Sequence, residues 1–426
     1  MSIAELYQLY LQYPLVETDT RKLQEGSLYF ALKGPNFNGN SFVNKALECR
    51  ASYCIIDEEA YSVPGKTIVV SNVLESLQQL AAHHRRQFSI PFIAITGSNG
   101  KTTTKELIHA VLSSSFKTYT TAGNLNNHIG VPLTILQIKA DAQFAIIEMG
   151  ANHQGEIASY CVIAQPTHGL ITNCGKAHLE GFGGEAGVRK GKGELFDYLR
   201  TNNGAAFIYT DYDYLIEMSA GINTIHSYGT QDAELTGTLL SAEPFLKVQI
   251  TAPFQEPITT QLVGSYNLPN VLAAATIGTH FGVSPGKIKT ALEGYTPSNS
   301  RSQLLKKGDK TIILDAYNAN PSSMKLAIEN FAGTASEPKI LVLGAMAELG
   351  NESLEEHKAI LAEIEKYNWQ QVILVGGDFL KLQHSYQQFA TAKEAGKALQ
   401  PTLSPNAFLL IKGSRSTGME AVLDYL

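Results

Sequence analysis

Cysteine is scarce in this chain, with four among 426 residues. Cys49, Cys54, Cys161 and Cys174 show no C-x-x-C spacing. That excludes a disulfide framework and a cysteine-rich metal module, and predicts reduced, mostly buried thiols in a cytoplasmic protein. No apolar run is long enough to span a bilayer, so membrane insertion is not expected. The segment Met1-Ser2-Ile3-Ala4-Glu5-Leu6-Tyr7 has no basic stretch leading into an apolar core, so no signal peptide is expected. Excess positive charge is also missing. The formal net charge of −6 argues against nonspecific nucleic-acid binding, which runs on phosphate neutralisation. An anionic ligand must therefore meet local cationic sites. Repeats and low-complexity tracts are absent as well. What remains, 44% hydrophobic and 17% charged, is the composition of a folded globular protein. Its length predicts roughly two to four domains.

The most informative stretch is Thr96-Gly97-Ser98-Asn99-Gly100-Lys101-Thr102-Thr103. A short apolar run, Phe92 to Ile95, precedes it and reads as a buried strand. Glu106-Leu107-Ile108-His109-Ala110-Val111-Leu112 follows with helical patterning. Strand, glycine-bracketed turn, Lys-Thr and helix make a phosphate cradle of backbone N–H groups, with Lys101 able to reach terminal phosphates. Thr102 or Thr103 can offer a hydroxyl to Mg²⁺. The pattern G-x-x-x-x-G-K-[ST] calls for glycine where Ile95 stands, so the match is imperfect. Gly-Lys-Thr-Thr after a strand still points to a nucleoside triphosphate.

Along the chain, strands are expected at 27–32, 53–57 and 67–70, then a polar helix from 73 to about 87 and a linker at 89–91. His83-His84-Arg85-Arg86 reads as a solvated helix end, because cations suit a helix C-terminus. From Phe92 onward, strands at 92–96, 118–120, 144–148, 168–172 and 205–209 alternate with helices, which implies a parallel sheet covered by helices. Residues 233–263 alternate like antiparallel edge strands, and helices follow at 268–280 and 285–292. Turn residues at 295–300 mark a boundary. Four more buried strands, at 311–314, 340–343, 371–375 and 407–411, describe a smaller α/β unit.

Other chemistry-bearing residues cluster at strand ends, where open α/β sheets bind ligands. Glu148 ends one strand and is placed to reach a Mg²⁺ on the phosphates. His178 follows another. Lys192 sits between glycines, Gly191 and Gly193, in a helix of poor propensity, which hints at close backbone approach. Asp315, Asn318 and Asn320 follow the strand at 311–314. They suit ribose or polar-substrate contacts, or simply a turn with helix-capping chemistry.

Together these segments resemble the Mur ligase family. The resemblance rests on the loop at 96–103, on Asn124-Leu125-Asn126-Asn127-His128-Ile129-Gly130 and on Glu148-Met149-Gly150-Ala151-Asn152-His153. It rests equally on Ala177-His178-Leu179-Glu180-Gly181, Asp315-Ala316-Tyr317-Asn318-Ala319-Asn320-Pro321-Ser322 and Lys412-Gly413-Ser414-Arg415. Within the family these look most like the branch that adds D-alanyl-D-alanine. The resemblance implies a three-domain α/β protein. A UDP-substrate domain (1–88) precedes a central P-loop ATPase domain with a parallel sheet (89–297) and a C-terminal Rossmann-like domain (298–426). It implies ATP-dependent joining of D-Ala-D-Ala to UDP-N-acetylmuramoyl-tripeptide through an acyl phosphate, with no nucleic-acid partner and a monomeric protein. Gly97, Ser98, Asn99, Gly100, Lys101, Thr102 and Thr103 would cradle phosphates, and Asn267 and Asn270 would face the adenine. Arg301 would reach the terminal phosphate and Asp315 the ribose. Thr102, Glu148, His178 and a carbamylated Lys192 would hold two Mg²⁺ ions, with Lys101, Lys192, His178 and Arg301 as the catalytic set. Thr20, Arg21, Asn126, Asn127, Asn318, Asn320, Lys412, Ser414 and Arg415 would contact the other substrates, and Gly26, Phe30 and Gly34 resemble the uridine-side pattern.

Three positions depart from the family pattern: Asn38-Gly39-Asn40 for Asp-Gly-His, Ala345 for an aspartate, and Ser300 for the glycine before the arginine. The alternatives are another Mur-type or folylpolyglutamate-type ligase, a P-loop switch ATPase, or an inactive homologue. Tyr317-Asn318-Ala319-Asn320-Pro321 argues against the first. Asn44-Lys45-Ala46-Leu47 fails as a guanine motif, against the second, and the presence of Lys101, Glu148, His178 and Lys192 together argues against the third.

Overall fold

Short β-branched apolar runs with no polar alternation suit strands buried on both faces, and the central part of the chain is built on them. In the computed structural model, which describes residues 1–298 and 300–426, Phe92–Thr96, Phe144–Glu148 and Ala205–Tyr209 are buried at every position. Asn299, inside the boundary expected at 295–300, lies outside the described residues.

The chain forms a three-domain α/β structure. The central sheet has nine strands. In order they are Ile258–Thr259, Lys247–Ile250, Leu235–Ser241, Thr224–Gly229, Ala205–Tyr209, His168–Ile171, Phe92–Thr96, Phe144–Glu148 and Thr118–Thr120. Neighbours are parallel except for the last two pairings at the Ile258 edge, which are antiparallel, as the alternation over 233–263 implied. Phe92–Thr96 lies between Phe144–Glu148 and His168–Ile171. The phosphate loop, Glu148 and the 172–178 segment therefore emerge side by side at one carboxyl edge.

The N-terminal sheet is a parallel run of Val16–Glu17, Leu28–Phe30, Tyr53–Ile56 and Thr67–Val69. One face packs with Tyr29, Ala31, Val43 and Ile56. The other face carries helices Ile3–Gln12 and Val73–Arg85, whose Leu6, Tyr10, Leu77 and Leu80 share one apolar core with Phe92 and Val111 of the central domain.

Within His83-His84-Arg85-Arg86, His84 and Arg85 correct the solvated-helix-end expectation, while Arg86 is exposed as expected. His84 and Arg85 are each only 6% exposed. His84 Nε2 lies 2.8 Å from the Ile138 carbonyl and its Nδ1 lies 3.2 Å from the Tyr7 hydroxyl. Burial lowers the imidazole pKa, against the opposing pull of the Ile138 carbonyl. The Arg85 guanidinium donates to the carbonyls of Ala164, Gln165 and Phe88, each at 2.8 Å, and stacks 3.7 Å from the Phe92 ring centroid. Arg85 thus supplies donors that the last carbonyls of helix Glu156–Ala164 lack.

Among the described residues the C-terminal sheet has six strands where four were expected: Gln303–Lys307, Lys310–Asp315, Phe408–Lys412, Lys339–Gly344, Gln371–Val375 and Gln387–Phe389. The two extra ones are the partly exposed edges, which carry no continuous apolar run. Asp315 and Lys412 are register partners at the carboxyl ends of adjacent parallel strands.

Candidate active site

Two carboxyl edges face each other across the central and C-terminal domains. Between them lies a cleft of about 440 Å³ lined by Ser98 to Thr103, Asn126, Glu148, His178, Asn270, Arg301, Asp315 and Lys412, among others. A wider opening of about 1000 Å³ shares Thr102, His178, Arg301 and Asn318 and extends to Glu348, Ser414 and Arg415.

The phosphate loop is held open by its neighbours. Ser98 N donates to the Asn173 carbonyl at 2.9 Å, Ser98 Oγ to the Gly175 carbonyl at 2.8 Å, and Asn99 N to Asn173 Oδ1 at 3.0 Å. Gly100 has φ 80° and starts helix Lys101–Ser113. A Cβ there would stand 2.8 Å from Asn270 Oδ1, so both backbone angle and space require glycine. Lys101 Nζ donates to the Gly97 carbonyl at 2.6 Å, folded back along the turn that a phosphate would fill. Burial, with Arg301 nearby, pushes its pKa down to about 8, against the opposing pull of Glu148. Two cations held together in a buried cleft make an anion site.

Glu148 is 1% exposed. Its Oε1 accepts from Thr102 Oγ1 at 3.1 Å and Asn126 Nδ2 at 2.8 Å, while Oε2 is buried with no partner among the described residues. An orphaned carboxylate oxygen beside a hydroxyl fits a hard cation. Lys192 is also 1% exposed and donates to the Ala151 carbonyl at 3.1 Å. Burial first, then Lys101, drive its pKa down to about 7. His178 Nδ1 lies 2.6 Å from Glu348 Oε2 of the C-terminal domain, and this partner keeps the Glu348 carboxyl below its ordinary range. Among the described residues, no three His, Cys, Asp or Glu side chains converge to hold a metal by themselves.

From the C-terminal domain, Asn320 caps helix Pro321–Ala332 and donates through Nδ2 to Asn99 Oδ1 at 2.7 Å, touching the phosphate loop. Capping and site contact are therefore the same residue's work. Asp315 is ion-paired with buried Lys412 and accepts from Ser302 N at 3.1 Å. Arg301 lies over the Tyr317 ring, with its Nε buried and unpartnered among the described residues.

The sequence candidates divide accordingly. Ser98, Asn99, Gly100, Lys101, Thr102, Thr103, Asn126, Asn127, Glu148, His178, Asn267, Asn270, Arg301, Asp315, Asn318, Asn320 and Lys412 all line the first cleft. Ser414 and Arg415 line the second, although Ser414 Oγ donates to the Ala345 carbonyl at 2.6 Å and Arg415 pairs with Glu420. Lys192 and Gly97 lie beside the cleft and line neither opening. Thr20 and Arg21 also line neither, and Arg21 is paired with Asp19 at the surface. Asn270 and Asn267 are bonded to each other at 2.8 Å, with Thr104 Oγ1 on Asn270 Oδ1. Tyr212, Tyr266, Ser302 and Glu348 also line the openings without having been singled out. Tyr212 could have been found, because it follows the strand Ala205–Tyr209 at the same carboxyl edge.

Residues 95–278 match the model of the Mur ligase middle domain, and residues 300–415 that of the Mur ligase, glutamate ligase domain. A UDP-N-acetylmuramoyl-tripeptide--D-alanyl-D-alanine ligase of Bacillus subtilis is 34% identical over 428 residues, covering 96% of this chain and 92% of that protein. A crystal structure of MurF from Acinetobacter baumannii superposes with a TM-score of 0.88 at 30% identity, covering 100% of this chain and 98% of the other. MurF from Thermotoga maritima, in complex with ADP, gives 0.86 at 25% identity with 97% of each chain covered. The chain belongs to the Mur ligase family, as an ATP- and magnesium-dependent carbon–nitrogen ligase whose sequence and fold resemble MurF.

Proposed function

We propose that this chain joins D-alanyl-D-alanine to UDP-N-acetylmuramoyl-tripeptide, a peptidoglycan precursor, as a cytoplasmic monomer. The observation that carries this reading is similarity to ligases of that name along nearly the whole chain, at about one residue in three. The cleft between two carboxyl edges supports it. In this reading residues 1–88 hold the UDP end, 89–297 form the ATP-binding domain, and 298–426 the Rossmann-like ligase domain.

A carboxylate is a poor electrophile at neutral pH, so the tripeptide carboxylate first takes the γ-phosphoryl group of ATP. ADP leaves and an acyl phosphate remains. The neutral dipeptide amine then attacks the acyl carbon, inorganic phosphate departs with one former carboxylate oxygen, and the proton lost from nitrogen leaves with that phosphate. The chain's part is positioning and charge neutralisation. Lys101 and Arg301 meet the charge of the transferring group. Thr102 and Glu148 Oε2 would hold one Mg²⁺, which supplies charge neutralisation on the phosphates. Asn267 and Asn270 form the adenine side, and Asp315 the ribose side.

His178 and Lys192 would serve a second Mg²⁺. An ammonium cannot ligate a cation, but a neutral Lys192 amine can add CO₂, giving a carbamate and releasing one proton. Burial and the nearby Lys101 favour that neutral amine by lowering its pKa. Asn126, Asn127, Asn318, Asn320, Lys412, Ser414 and Arg415 would surround the two joined ends, while Thr20 and Arg21 would contact the UDP end.

Phosphate release with UDP-N-acetylmuramoyl-tripeptide and ATP, with and without D-Ala-D-Ala, tests the reading. Release that requires the dipeptide supports it, and turnover indifferent to the dipeptide would sink it.

A further inference from the structure

Arg301 stands in an unusual stretch of backbone. Ser300 and Ser302, on either side, have φ of 56° and 45°, a left-handed conformation that non-glycine residues seldom adopt. Such strain persists only where surrounding contacts enforce it. Here the end of strand Lys310–Asp315 and the turn after it do so. Tyr317 N donates to the Ser300 carbonyl at 3.2 Å, and Ser302 N donates to Asp315 Oδ1 at 3.1 Å. From the central domain, the Tyr266 hydroxyl meets Ser302 Oγ at 3.0 Å. The clasp turns Arg301 into the cleft that holds Lys101.

What seats the guanidinium itself is an aromatic face. Arg301 Cζ lies 3.6 Å from the centroid of the Tyr317 ring. No carboxylate pairs with Arg301 among the described residues, and its Nε is buried without an acceptor. A carboxylate partner would neutralise the charge and compete with a phosphate. A ring holds a cation in place and leaves its edge donors free.

We propose that Tyr317 is the positioning residue for Arg301, presenting an unpaired guanidinium to the terminal phosphate of ATP. The proposal rests on reading the cleft as the ATP site. Only the ring is required, because the Tyr317 hydroxyl makes no hydrogen bond among the described residues. Tyr317 therefore acts through Arg301.

The test combines Tyr317→Leu, Tyr317→Phe, Arg301→Ala and the Tyr317→Leu/Arg301→Ala double variant. Binding of a non-hydrolysable ATP analogue and of ADP is measured by calorimetry without other substrates. Tyr317→Leu should weaken the ATP analogue roughly tenfold while leaving ADP within about twofold, because only the terminal phosphate meets Arg301. Tyr317→Phe should match the parent. In the Arg301→Ala background, Tyr317→Leu should add nothing. Equal weakening of ADP, a Phe variant as poor as Leu, or a full Tyr317→Leu effect without Arg301 would each overturn the proposal. These readouts involve no dipeptide. A failure of the dipeptide assay with this pattern intact would overturn the substrate assignment and leave the Tyr317 role standing.

Discussion

Helix Glu185–Thr201 carries Lys192 and contains three glycines, of which two are held by contact and one is not. A Cβ on Gly187 would lie 1.8 Å from the Phe182 carbonyl oxygen. Carbon and oxygen approach to about 3.3 Å, so Gly187→Ala must push the helix and the turn Leu179–Phe182 apart by about 1.5 Å. That turn directly follows His178, and the ring of Phe182 lies 4.9 Å from Lys192 Nζ, so both proposed metal-site residues move. Overpacking costs about 1–3 kcal/mol, and the alanine returns about 1 kcal/mol of helix propensity. Net stability should therefore fall by no more than about 2 kcal/mol. Misplacement on this scale costs on the order of a hundredfold in turnover. Gly193→Ala is the control. Its Cβ would meet only Met218 Cε at 3.4 Å, an ordinary contact. It should gain up to about 1 kcal/mol and keep parental turnover. Phosphate release and denaturant unfolding of both variants read the two effects. Parental turnover in Gly187→Ala, or equal losses in both, would refute the reasoning.

Two further outcomes follow from buried charge. Arg85→Met removes three donors from carbonyls around a helix end and should destabilise the fold by about 3 kcal/mol in urea or guanidinium unfolding, and a loss below about 1 kcal/mol would contradict the clamp. Lys101 at about 8 and Lys192 at about 7 both sit below the ordinary lysine value of 10.5. Between each lowered value and 10.5 the folded chain holds fewer protons than the unfolded one, so the penalty that each buried lysine imposes on folding fades as pH rises through that window. Phosphates raise the Lys101 pKa, so nucleotide binding at about pH 8.5 should take up protons through Lys101, and at about pH 6.5 it should not. Calorimetry in buffers of different ionisation enthalpy measures this, and no uptake at the higher pH would contradict it.

The legible parts of the molecule were those in which one short segment carries its own cause. Phe92–Thr96, Phe144–Glu148 and Ala205–Tyr209 are buried throughout and almost wholly apolar because both faces are covered, and their ends mark where ligands are met. Gln303–Lys307 and Gln387–Phe389 were not legible, because an exposed edge strand has no such pattern. Arg85 reads as a surface cation until helix Glu156–Ala164 ends against it, some 80 residues away in sequence. The same holds in the site. Lys101 and Glu148 announce themselves by motif and strand end. The Asn99–Asn320 bond joins residues 221 apart, and the Glu348 partner of His178 comes from another domain, so no local signal marks either. The glycines beside Lys192 gave a partial signal. A Cβ on Gly191 would stand 2.5 Å from Phe182 Cε1, whereas one on Gly193 would have room.

The central claim is that ATP activates the tripeptide carboxylate before the amine arrives. UDP-N-acetylmuramoyl-tripeptide labelled with ¹⁸O in its terminal carboxylate is turned over with ATP, Mg²⁺ and D-Ala-D-Ala, and the released phosphate is weighed by mass spectrometry. The account predicts one labelled oxygen in the phosphate of each turnover. Phosphate released without label, alongside the joined product, would contradict it.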